Sequence, residues 1–122
     1  MDVRRSLQAL LGFEVVLYLV PSLIHRELLI EGHQHAQAAI AETVISIVLL
    51  VGLIGTLIRP QQLRAIGLTV QAFALLGTLV GAAMIAIGVG PQSAMDLAIH
   101  ALMLATLLFG IARFWRYRTS IA

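Results

Sequence analysis

The chain has 122 residues, of which 60% are hydrophobic and 11% charged, with a formal net charge of +2. A soluble domain carries about 25% charged residues. Too few charges are present here to coat a water-soluble surface, which excludes most soluble enzymes and disordered chains and leaves an integral membrane protein. With no cysteine in the chain, disulfides, thiolate metal sites and cysteine nucleophiles are excluded as well.

Four apolar runs follow one another. The first, Leu7 to Ile24, is interrupted by Glu14 and Pro21. The second, Ala38 to Ile58, holds Glu42 one turn inside, and the third, Ile66 to Val89, contains Gln71 but no charge. The fourth, Ala94 to Phe114, contains Asp96 and His100. About 20 apolar residues cross the hydrocarbon core as a helix, so the pattern predicts membrane helices over about 6–25, 36–58, 65–89 and 93–115. Their linkers are short. Pro60 and Pro91 stand where helices stop, and Ser93 is placed to cap the fourth. Short connections predict one all-α transmembrane domain, an antiparallel four-helix bundle.

The sequence pI is about 9.9, yet all eight basic residues are Arg, and they lie mostly at the ends of the apolar runs. That placement marks membrane topology and not a nucleic-acid patch. Arg4, Arg5, Arg59, Arg64, Arg113, Arg116 and Arg118 fall on one side and only Arg26 on the other. The positive-inside rule then places both termini in the cytoplasm, in a bacterial or archaeal cytoplasmic membrane. Phe114, Trp115 and Tyr117 among the last Arg residues read as an interfacial anchor. The sequence shows no internal repeat of the inverted-transporter kind. Gly77 and Gly81 form a GxxxG, with Gly88 seven residues further on; such a stripe admits a close helix neighbour from the same chain or from a second copy.

The polar residues gather at one end. Ionisable groups inside spans normally face the bundle interior and carry function. Glu14, Tyr18 and His25 share a helical face, as do His35, Glu42 and Ser46, and Gln71 with Thr78. Asp96 and His100 stand at i, i+4. These stripes predict a buried polar cluster open to the extracytoplasmic side, with Glu42 and His100 at its core, Glu14 deeper, and His25, His33 and His35 at the mouth. Plainer readings accompany each. Asp96 three residues after Ser93 reads as a helix cap, the loop histidines as solvated surface, and Glu27 and Glu31 as a wet acidic edge.

Several functions fit this pattern. His25, His33, His35, Glu42 and His100 supply imidazole and carboxylate ligands for a transition metal or, with His100 as an axial ligand, a haem. Glu14 and Glu42 could relay protons. Four spans with one carboxylate midway in the first, in Gly12-Phe13-Glu14-Val15, resemble the small multidrug resistance transporters in outline. That resemblance covers the first helix and implies a small proton-coupled transporter using Glu14. A non-catalytic subunit or assembly factor, with the lipid bilayer and a homo-oligomer or larger membrane complex as partners, fits the small size. Ser22, Ser93, Asp96 and His100 include the residue types of a nucleophile and base, but no spacing implies catalytic geometry, so the balance is against an enzyme.

Overall fold

Three of the four helices begin where a side chain accepts an otherwise unbonded backbone N–H, as helix N-termini require. The structure, a computed structural model, describes residues 2–118. Asp2 accepts from the Arg5 N–H (2.8 Å) and opens α1, Val3–Ile24. The Nδ1 of His35 accepts from the Ala38 N–H (3.1 Å) and opens α2, Ala36–Ile58. A short 3₁₀ turn, Pro60–Gln62, leads directly into α3, Leu63–Ala86. Ser93 and Asp96 form a reciprocal capping box for α4, Ala94–Arg116. Pro21 stays within α1 near its end. It has no N–H to give the Leu17 carbonyl one turn earlier.

All four helices are long and apolar enough to cross a membrane. At 1.5 Å per residue, 22 to 24 residues span about 33–36 Å, against a hydrocarbon core of about 30 Å. The helices pack antiparallel in sequence order, and α4 returns against α1 to close the bundle. Their outward residues are apolar, among them Phe13, Val16, Ile47, Val51, Leu76 and Phe109. Their inward residues divide by level. Toward the α2–α3 turn the core is Leu7, Leu11, Leu49, Leu63, Leu107 and Phe114, all at most 1% exposed. Toward the other end it is Tyr18, Ser22, His25, Glu42, Thr78 and Asp96.

Three expectations change on contact with the structure. Helix α3 ends at Ala86, short of 89, because Gly88 turns the chain with φ +83°. The Gly88 N–H donates to the Ile85 carbonyl (3.0 Å) and the Val89 N–H to that of Met84 (2.9 Å), the pattern of a Schellman close. Gly88 therefore terminates the helix and has open space where a Cβ would stand. Gly77 and Gly81 instead lie against neighbours of the same chain. A Cβ on Gly77 would stand 2.9 Å from Ile45 of α2, and one on Gly81 2.9 Å from His100 of α4. Phe114 belongs to the core, while Trp115 is exposed and carries the Arg64 guanidinium over its ring at 4.8 Å.

Gly88→Ala places a Cβ in the left-handed region and should cost about 1–2 kcal/mol, read as a lowered unfolding midpoint in detergent micelles. Gly12→Ala, in ordinary helical backbone with its nearest neighbour 3.8 Å away, should not show this loss.

Candidate functional site

Three helix ends meet at the polar end of the bundle, and His25 joins them. Its ring follows the last residue of α1 and is 3% exposed. The Nδ1 lies 2.5 Å from Oε1 of Glu42, on the second turn of α2, and Nε2 lies 2.8 Å from Oδ1 of Asp96, on the first turn of α4. Asp96 holds its place through its other oxygen, which accepts from Ser93 N–H (3.1 Å) and Ser93 O–H (2.5 Å). Its capping role and its bond to His25 thus use different oxygens of one carboxylate.

The geometry bears on the proton count. Carboxylate oxygens only accept, and a neutral imidazole offers one N–H. With a carboxylate facing each ring nitrogen, both contacts are satisfied when the triad holds one proton beyond that minimum. That proton rests on the imidazole or on one of the acids.

The loop folds down to seal the site. The His35 N–H donates to the His25 carbonyl (2.9 Å), closing residues 25–35 into a loop. The His35 ring stands edge-on to that of His25, centroids 6.3 Å apart, and its Nε2–H donates to the Val89 carbonyl (3.1 Å). Arg26 turns away and donates to Thr43.

A second polar level lies below. Thr78 donates to the Ala74 carbonyl (2.7 Å), so it accepts from the Tyr18 hydroxyl (2.5 Å). One turn deeper along α1, Gln71 donates through Nε2 to Oε1 of Glu14, while Oε2 of Glu14 and Oε1 of Gln71 are buried with no partner among the described residues. These two bonds cross the bundle from α1 to α3. Beyond Glu14 the buried residues are mostly leucine, with Phe114 and with Thr56, whose hydroxyl donates to the Leu53 carbonyl (2.7 Å). A cavity of about 220 Å³ opens beside the triad, between α2 and α3. Tyr18, Glu42, Thr78 and His100 line it, with Met84 and Met103.

The predicted arrangement needs correction at several points. His25, expected at the mouth, is the hub. Glu42 is bonded to His25; His100 shares the cavity wall with it. His33 is half-buried in the loop, with no bond to the cluster among the described residues. Of the five residues proposed as metal or haem ligands, His25 and Glu42 are bonded and the His35 ring stands beside them, while His33 lies apart in the loop. Among the described residues no group of three or more His, Asp or Glu is placed to hold a metal ion. The physical reason is that both nitrogens of His25 and both of His35 already have hydrogen-bond partners. Sequence reasoning found Glu14, Gln71, Tyr18 and Thr78 as stripes but not as pairs across the bundle.

These features define a small four-helix membrane protein with a buried carboxylate–imidazole–carboxylate cluster at one end. No protein-family model, curated protein or solved structure matches the chain.

Burial favours the neutral form of His25, but the hydrogen bonds and charges of Asp96 and Glu42 outweigh it, and the net shift is upward from the ordinary 6.5. A raised folded-state value stabilises fully below 6.5 and loses that contribution as pH rises through the folded value. The unfolding midpoint should therefore fall as pH is raised from 6.5 into the alkaline range, and His25→Gln should flatten that slope. His25→Ala leaves two buried carboxylates without their partner and should cost about 3–5 kcal/mol in detergent unfolding.

Proposed function

We propose that the chain is a proton-handling membrane protein. The Glu42–His25–Asp96 cluster takes up a proton at the extracytoplasmic face, and the Tyr18–Thr78 level passes it inward to Glu14 at mid-membrane. The observation that carries this reading is the triad geometry, in which a carboxylate oxygen faces each ring nitrogen of His25. Ionisable groups then descend from it along α1, each about one or two turns apart. Glu14 lies eleven residues before His25, a rise of about 16 Å. The Arg distribution supports a cytoplasmic position for the opposite end, in a bacterial or archaeal cytoplasmic membrane. The apolar core beyond Glu14 supports one-sided access in this conformation. A proton delivered to Glu14 leaves only by the way it came, or by a rearrangement of the bundle of the kind a coupled transporter undergoes.

Infrared difference spectra of the full chain in lipid, recorded after an acid jump, test this. Wild type should show a protonated-carboxyl band that Glu14→Gln removes. Tyr18→Phe and His25→Gln should delay that band by about a hundredfold, the low end of what a positioned proton donor contributes. An unchanged rate in His25→Gln, with the bundle still folded by circular dichroism, refutes the route.

A further inference from the structure

The cavity beside the triad is lined by three groups of the proposed proton route, Tyr18, Glu42 and Thr78, and by His100, which has no place in that route. Tyr18 lies six residues before the end of α1, Glu42 six after the start of α2 and His100 six after the start of α4. Six residues correspond to about 9 Å, so these three groups stand at one depth. Thr78 lies eight residues before the end of α3, about 12 Å deep. A phenol, a carboxylate, an imidazole and a hydroxyl thus form one belt around the same space.

Two of these groups have unused capacity. Among the described residues the Nε2 of His100 has no hydrogen-bond partner, although the ring is only half-buried and lies over Gly81. Glu42 spends one oxygen on His25, and its other oxygen is without a partner. The rest of the wall is apolar, with Ile45, Val80 and the thioethers of Met84 and Met103. Thioether sulfur makes favourable contacts with ring edges.

The cavity is lined by exposed residues of α2 and α3 and also by the loop residues His35, Val89 and Pro91. Gln37 and Ala41 on α2 and Val80 on α3 line the cavity and are exposed. In a chain that spans a bilayer, a gap between α2 and α3 at this depth faces acyl chains. A cavity of about 150 Å³ holds benzene, so about 220 Å³ accommodates a substituted single ring.

We propose that this cavity binds the monocyclic, hydroxylated aromatic headgroup of an apolar-tailed, lipid-soluble molecule of quinol type. Its ring hydroxyl lies between His100 and Glu42, and its tail leaves between α2 and α3 into the bilayer. The inference rests on the proton-handling reading in one respect: the hydroxyl is where the triad exchanges its proton with a substrate. That exchange moves a proton only, from the ring oxygen to Glu42 or back.

The test uses the full chain in lipid nanodiscs and a decyl-tailed phenol bearing one ring azide as the photolabel. Labelling should fall within residues 35–45 and 77–103, and unlabelled decyl-benzoquinol should displace it. His100→Leu should weaken that competition about tenfold, as loss of one hydrogen bond implies. Ala41→Phe, at an exposed position on the rim, should block labelling while leaving the unfolding midpoint unchanged. Labelling spread over the lipid-facing surface, or insensitive to both substitutions, overturns the proposal. So does displacement by tetraphenylphosphonium and not by the quinol. Saturable, His100-dependent labelling in a protein whose Glu14 band is independent of His25 would support the site and refute the relay. Diffuse labelling with an intact, His25-dependent Glu14 band would refute the site alone.

Discussion

The bond from His25 to Asp96 joins helix ends that no turn connects. The α1–α2 loop and the α3–α4 turn lie at the same end of the bundle, and nothing covalent crosses between them. His25 does so through Asp96, while holding α2 through Glu42. In a bilayer the hydrophobic effect gives little force between helices, since lipid tails are as apolar as leucine. Close packing and directional polar bonds must set the arrangement. The closure of the loop at His35, the double use of Asp96 and the shape of the adjoining cavity all follow from where this imidazole sits.

Below the hub, the helix surfaces reverse the order of a soluble protein. Along α1 the inward residues include Glu14, Tyr18 and Ser22, and the outward ones include Phe13, Val16 and Leu19. A polar group facing lipid would have no partner, so the interior collects them. Polar bonds across the diagonal, Tyr18 to Thr78 and Glu14 to Gln71, do the work that a leucine layer does at the other end.

The helices were legible because membrane thickness fixes their length, and the stripes because 3.6-residue periodicity fixes their face. Glu14, Tyr18 and His25 fall on one face by counting alone. What hid the hub was its neighbourhood. His25 opens a stretch rich in His, Glu, Gln and Arg that reads as solvated loop, and only the return bond from His35 folds it over the bundle. Asp96 was legible as a cap because its Ser93 partner is three residues away; its His25 partner is 71 residues away. Gly88 continues an apolar run, so hydropathy alone cannot tell a helix terminator from a packing residue. The cavity depends on distances between helices, which no single-chain periodicity encodes.

The double use of Asp96 also imposes an order on assembly. Chains are made from the N-terminus, and their early parts fold first. The first hairpin can bring His25 to Glu42 as soon as α2 is in place, but one ring nitrogen then faces an empty position. That position is filled only when α4 enters and is capped, because the residue that completes the cap also completes the cluster. The last helix is thus inspected by the first: an α4 misplaced by one turn would leave a buried imidazole half-bonded, an error that a cell's membrane quality control could register as instability.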